Sequence, residues 1–199
     1  MAIDLRKSRF ATEIIGVDNR PEHTSEALQL GLVDRIADFE TGVKEADLVL
    51  LALPVDQIIL LLPRVLDLIS PSSTVVDVGS TKRQIVASVA DHPLRGNFVP
   101  THPMAGTENS GPSAAIAKLF AGKLTIVCDH AQCRPQHLAT PFPLRSVYLD
   151  HAVTREPFRR DTTFQISFAT NPIDAIGARM AHSSHPNGVM RSKLLRPGR

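Results

Sequence analysis

Five side chains in this sequence have types and settings suited to chemistry, and His102 is the clearest of them. It follows a strand-like stretch, 97–100, and stands between Pro100 and Pro103 in a loop of small residues, THPMAGTENSGP (101–112). A neutral imidazole held there can take the proton from a hydroxyl while hydride leaves the same carbon. The other seven histidines (His23, His92, His130, His137, His151, His182 and His185) have no comparable setting. Ser80 follows the β-branched run TVVDV, and its hydroxyl can both donate and accept, enough to orient a nearby imidazole. The same serine is a natural helix cap in Gly79-Ser80-Thr81-Lys82, and Thr81 offers an alternative cap that would free it. Asp18 ends the run EIIGVD, where a carboxylate can accept both hydroxyls of an adenosine ribose and repel a 2′-phosphate. Asn19 and Arg20 follow it, and the Arg20 guanidinium pulls the other way, since it can accommodate that phosphate. Glu108 and Lys82 complete the polar set; each also reads as an ordinary surface charge.

The elements that must position these groups alternate between strand-like and helix-like patterns, as in a parallel sheet wrapped by helices. Residues 13–18 read as a strand. Pro21 suits the first turn of a helix over 22–30, with Gly31 as its C-cap. The run DLVLLAL (47–53) is continuously apolar, as in a strand buried on both faces. It breaks at Leu53-Pro54-Val55, and 55–69 continues at helical spacing. TVVDV (74–78) reads as a strand, 82–90 as a helix, and 97–100 and 124–128 as two further strands. Short strand–helix–strand connections force right-handed crossovers and gather the loops after the strands on one edge. In open parallel sheets that edge binds ligands. Asp18, the Leu53-Pro54-Val55 turn, the Gly79-Ser80 turn and His102 all fall on it. The expected class is therefore α/β, an incomplete doubly wound parallel sheet of Rossmann type with an irregular C-terminal tail.

The sheet is expected to be incomplete because a dinucleotide fold begins strand, G-x-G-x-x-G, helix, with an acid some 20 residues on. Asp18 suits that acid, yet no such fingerprint precedes it, and 2–10 (AIDLRKSRF) reads as the rest of the first helix. After His130 the alternation fades. Residues 1–130 read as a partial dinucleotide-binding domain and 131–199 as a divergent, poorly ordered tail, with a strand at 146–150 and a short helix at 173–181.

Composition narrows the class further. Of the residues, 43% are hydrophobic and 21% charged, which is globular composition. A net charge of +2 gives no pull toward nucleic acid or anionic membrane. No apolar run approaches the ~20 residues of a membrane span, and no leader opens the chain, so a cytoplasmic location is expected. Cys128 and Cys133 lack neighbouring ligands and read as reduced thiols, not a metal site. The charge is unevenly spread. Up to His130 there are 12 Lys/Arg and 16 Asp/Glu, and beyond it 10 and 4.

The runs IIGVDNRPEHTSEALQLGLVDR, ADLVLLALPVDQIILLLP, TVVDVGSTKRQIV and above all FVPTHPMAGTENSG resemble the prephenate dehydrogenases, with arogenate dehydrogenases close behind. The likeness covers roughly residues 2–130. It implies that His102 accepts the ring-hydroxyl proton of prephenate and that Ser80 orients it beside the nicotinamide. It places Thr107 and Glu108 with the substrate, Glu108 controlling access to the pocket. It implies that Asp18, Asn19 and Arg20, the Leu53-Pro54-Val55 turn and Gly79-Ser80 lie against the cofactor, which is NAD sooner than NADP. The implied reaction is oxidative decarboxylation of prephenate to 4-hydroxyphenylpyruvate, in tyrosine biosynthesis. Family members also carry a downstream helical domain that forms a homodimer and supplies an arginine and a histidine-rich helix. VYLD (147–150) resembles the lead-in to that domain, but 152–199 does not continue it, and Asn109 stands where a lysine is usual. Three readings follow. One is the enzyme, acting on prephenate or arogenate. A second is a catalytically inactive fragment of it, and a third is a small binding module using the basic tail. Without its central first strand, such a fragment is expected to expose strand edges and to self-associate.

Overall fold

The computed structural model describes residues 1–139 together with two strands, Arg145–Tyr148 and Thr163–Ser167, the last two through their backbone pairing. Helix α1 (Ala2–Lys7) leads into β1 (Glu13–Val17), α2 (Pro21–Gln29), the two-residue β2 (Arg35–Ile36) and α3 (Phe39–Glu45). Then come β3 (Leu48–Leu51), α4 (Val55–Leu68), β4 (Thr74–Asp77), α5 (Arg83–Ala87), β5 (Phe98–Pro103) and β6 (Leu124–Val127). A short α6 (Pro135–Leu138), β7 (Arg145–Tyr148) and β8 (Thr163–Ser167) complete the order.

The strands form one eight-stranded sheet in the order β2-β1-β8-β3-β4-β5-β6-β7. β1, β2, β3, β4, β5 and β8 run parallel, β6 runs antiparallel to β5, and β7 runs parallel to β6. Successive strand residues point to opposite faces, and β3 shows the result: all four of its residues are buried. Leu48 and Leu50 join a core with Leu5, Ile14, Ala27 and Val76, while Val49 and Leu51 join another with Ile58, Leu62, Leu66, Ile85 and Phe98. Two cores, one on each face, define a doubly wound sheet.

Two strands lie within the expected tail. β7 matches the strand expected at 146–150, and β8 was not anticipated. It lies between β1 and β3, pairing Gly16 and Leu50 with Ile166. In the 3-2-1-4-5-6 arrangement of dinucleotide folds this is the place of the first strand. The edges of β1 and β3 that an incomplete sheet would expose are therefore paired, because two buried strands offering free N–H and C=O groups accept any compatible extended segment. The helix expected at 173–181 lies outside the described residues. α5 ends three residues sooner than expected, and two elements were not foreseen upstream. These are β2 and α3, the latter capped by Asp38, whose carboxylate accepts Thr41 N at 3.0 Å.

Candidate active site at the carboxyl edge of the sheet

The parallel strands end on one edge, and the side chains singled out above gather there. β4 ends at Asp77, an acid within an otherwise apolar strand, with its carboxylate fully buried. Asp77 Oδ2 accepts the Gly79 N–H at 3.0 Å and the Lys82 ammonium, and Oδ1 accepts the Thr101 N–H at 3.2 Å. Thr101 Oγ1 returns a bond to the Asp77 carbonyl at 2.5 Å, so the ends of β4 and β5 are stitched together. The next residue on β5 is His102, half-buried, whose Nδ1 lies 3.1 Å from the Gly79 carbonyl oxygen. A carbonyl only accepts, so Nδ1 carries the hydrogen and Nε2 is left as the ring's basic nitrogen.

Ser80 stands in the same turn, exposed. The partner of the imidazole is the Gly79 carbonyl, not the Ser80 hydroxyl. Neither Ser80 nor Thr81 caps α5, whose N-cap position is Lys82 with no side-chain cap bond. Lys82 is no surface charge, since its side chain is 11% exposed and paired with Asp77. Thr107 and Glu108 lie exposed in the loop beyond β5. Pro54 opens α4, its carbonyl accepting Gln57 N and Ile58 N at 3.0 Å each, and Leu53 and Val55 pack against the core behind it.

Asp18 stands just past β1 with its carboxylate 1% exposed. One oxygen accepts Arg20 N at 2.8 Å and the other lies 3.1 Å from His23 Nδ1. His23 had no evident setting in the sequence; the structure places it in the first turn of α2, facing back onto the acid. It also lies below the loop beyond β5. A Cβ on Gly111, which has φ +84°, would come 3.5 Å from His23 Nε2. The positive φ favours glycine at that crossing. The only sequence signal was the spacing of Asp18 and His23 across the proline that starts α2.

Between α1 and the loop beyond β5 is a cavity of about 300 Å3, lined by Met1, Ile3, Ala52, Val78, Thr107 and Phe120 among others. Thr107 is the one residue of the expected site on its wall. Asp4 of α1 meets the same loop, accepting Lys118 N at 2.9 Å. Toward a dinucleotide this edge offers, beyond β1, the Asp18 carboxylate, 1% exposed and already engaged by Arg20 N and His23, and, beyond β4 and β5, the His102–Gly79 pair. At its middle, no glycine-rich turn of backbone N–H groups for a pyrophosphate is found among the described residues. Among the described residues no group of three or more His, Cys, Asp or Glu could hold a metal ion. Cys128 and Cys133 are both free, and burial pushes both thiols up, so neither is poised as a nucleophile. Among the described residues no helix is long and apolar enough to cross a membrane.

The model of the family "Prephenate dehydrogenase, nucleotide-binding domain" matches residues 1–142. A prephenate dehydrogenase of Bacillus subtilis is 40% identical over 190 residues, covering 93% of this chain and 50% of that protein. The crystal structure of prephenate dehydrogenase from Aquifex aeolicus in complex with hydroxyphenyl propionate and NAD+ superposes with a TM-score of 0.65 at 30% identity, over 74% of this chain and 53% of that one. Arogenate dehydrogenase from Synechocystis gives a TM-score of 0.65 at 25% identity, over 74% of this chain and 54% of that one. The chain thus spans about half the length of the relatives it matches.

Proposed function

The chain belongs to the prephenate dehydrogenase family through its nucleotide-binding domain, and from that premise we propose that it serves the NAD-dependent oxidative decarboxylation of prephenate to 4-hydroxyphenylpyruvate. The observation that carries this reading is His102. Its Nδ1–H is turned onto the Gly79 carbonyl, which leaves Nε2 as a base at the edge that also holds Asp18. NAD+, when bound, supplies the hydride acceptor. His102 Nε2 takes the proton from the ring hydroxyl as the carbinol C–H bond breaks toward that acceptor. The C–CO2 bond then releases its electron pair into the ring, CO2 departs, and the oxygen regains a proton as the phenol. Aromatisation drives the step, so the protein's task is mainly to position and to exclude water. Asp18 favours NAD over NADP, because a 2′-phosphate would meet its buried carboxylate. Thr107 and Glu108 lie on the side from which a substrate would enter, and Ser80 is within the turn that would face the nicotinamide. Arogenate differs from prephenate in its side chain and not at the reacting ring, so it is the natural second substrate to run beside it. On this reading the protein serves tyrosine biosynthesis in the cytoplasm, as the family resemblance suggests. The partner it implies is a second copy, joined through a helical domain that residues 1–139 do not include.

The test uses a chimera that carries residues 1–139 in place of the matching part of a full-length relative, assayed with prephenate and NAD+. His102→Asn is expected to lower kcat about 10²–10⁴-fold while leaving NAD+ affinity little changed, because asparagine keeps a hydrogen bond but accepts no proton. Near-parental turnover in His102→Asn would make His102 a structural histidine and end this reading. In the same chimera Asp18→Ser is expected to narrow or reverse the preference for NAD+ over NADP+, read by calorimetry. An unchanged ratio would remove Asp18 from the ribose site. The unaltered chain, if it binds neither cofactor and converts neither substrate, is an inactive fragment of its family.

A further inference from the structure

The Gly79 carbonyl that fixes His102 is itself held from behind. Lys82 Nζ donates to it at 2.7 Å and also to the Asp77 carboxylate. Asp77 receives three donors (Lys82, Gly79 N and Thr101 N) and bonds to no acceptor among the described residues, which is the environment of an ionised carboxylate. Burial pushes the Asp77 carboxyl up, and the Lys82 ammonium and the two N–H groups oppose that push. The carbonyl of Gly79 therefore accepts from Lys82 on one side and from His102 on the other, and its direction is set by an ion pair that is 0% and 11% exposed. A surface clamp would not need a buried acid, whose desolvation is costly unless it is paired and fully hydrogen-bonded.

We propose that Asp77 and Lys82 are positioning residues that set the tautomer of His102, holding the Gly79 carbonyl so that Nδ1 keeps the hydrogen and Nε2 stays free. This rests on the reading of His102 as the base. Without Lys82 the carbonyl has one partner fewer and the Gly79-Ser80 turn can rotate it away from the imidazole. Without the Asp77 carboxylate, Lys82 has no counter-ion and the Gly79 N–H loses its acceptor, so the same turn is freed from its other end. In either case the imidazole is released to its Nε2–H form, in which the nitrogen facing the edge can no longer accept a proton.

The tautomer is read directly, with neither cofactor nor substrate, from the ring 15N shifts of the histidine-labelled chain, with the His102 signal assigned by its loss in His102→Gln. The parent is expected to show a single Nδ1–H form. Lys82→Met and Asp77→Asn are each expected to bring in the Nε2–H form as a major species while the backbone amide spectrum elsewhere keeps its dispersion. Should the buried Asp77→Asn variant misfold, Lys82→Met, whose side chain is partly exposed, decides alone. In the chimera, Lys82→Met is expected to lower kcat by roughly 10–100-fold with little change in KM, as for other partners that fix a functional histidine. A folded Lys82→Met chain that keeps the parent's pure Nδ1–H form would overturn the proposal, and so would a parent found in the Nε2–H form. The two readings fail separately. A tautomer that shifts in Lys82→Met, beside a His102→Asn chimera of undiminished turnover, would keep the positioning and remove the base.

Discussion

The two halves of the sheet hold their chemistry by different means. The His102 half is secured locally: Asp77, Gly79, Lys82, Thr101 and His102 lie within 26 positions of one another and are joined by six hydrogen bonds between β4, β5 and the turn after β4. The Asp18 half is secured from a distance. Its strand β1 reaches the rest of the sheet through β8, with Glu13 paired to Thr163 and Val17 to Ser167. A site assembled from neighbours in sequence survives the loss of remote elements. A site that depends on a late strand is only as firm as that strand. The His102 end therefore holds its geometry through near neighbours, while the Asp18 end depends on an unexpected element.

Ile166→Pro attacks the second half. β8 is paired on both sides, so a missing N–H removes a ladder bond whichever neighbour it served. The cost is expected to be on the order of 3 kcal/mol. Urea unfolding gives the total, and amide exchange gives its location: protection should fall in Glu13–Val17 well before Thr74–Asp77. Equal loss in both strands would show that the halves are one cooperative unit.

Glycine substitutions sharpen the contrast on a smaller scale. A Cβ on Gly79 would stand 3.1 Å from Asp77 Oδ2 and from Ile85 Cδ1, and 3.2 Å from Ile58 Cδ1. Asp77 is held by three donors and both isoleucines are fully buried, so Gly79→Ala is expected to cost about 1–3 kcal/mol. At Gly16 the nearest atom is the terminal methyl of Ile36 at 2.8 Å, on the two-residue edge strand β2, with the Val33 methyls next at 3.1 and 3.2 Å, and no polar group in the way. Gly16→Ala should therefore cost less than Gly79→Ala in the same denaturation assay. The reverse order would mean that the Asp18 half is the stiffer.

The smallest effect lies at the opposite edge, where His137 of α6 meets Thr74 Oγ1 at 2.7 Å while its buried Nε2 has no partner among the described residues. Burial, helped by Arg134, pushes the His137 imidazole below its ordinary 6.5, so the folded chain binds this proton less readily than the unfolded chain does. The stability it contributes is present above the ordinary value and is lost as pH falls below it toward the lower folded value. Tm measured from neutral into mildly acid solution should fall, and His137→Gln should flatten that slope. An unchanged slope would exclude His137 as the source.

Long apolar runs were legible: DLVLLAL contains β3, TVVDV contains β4, and the helical spacing after Pro54 ends within a residue of α4. Burial on both faces imposes hydrophobicity at every position, and that leaves a mark in sequence. Asp77 was passed over within TVVDV, although an acid in a strand buried at every position demands a partner, and Lys82 five residues on supplies it. α3 was missed because FETGVKE is short and carries a glycine, though Asp38 and Thr41 mark its cap. The placement of His23 on Asp18 depends on the entry angle of α2, which the spacing across Pro21 hints at but does not fix. β8 was beyond local reasoning altogether. TFQIS carries no special signal, and its position is determined by a gap between two strands more than 110 residues upstream.

That gap has a consequence in time. A chain made from its N-terminus at about 5–20 residues per second completes β3 long before Ser167 is added, so the facing edges of β1 and β3 wait on the order of ten seconds for the strand between them. In a dinucleotide fold whose first strand is its central one, that strand is already there when its neighbours emerge. Here the strand in that place follows β3 by more than 110 residues, so its pairing with β1 and β3 is the last part of the sheet's parallel half to close.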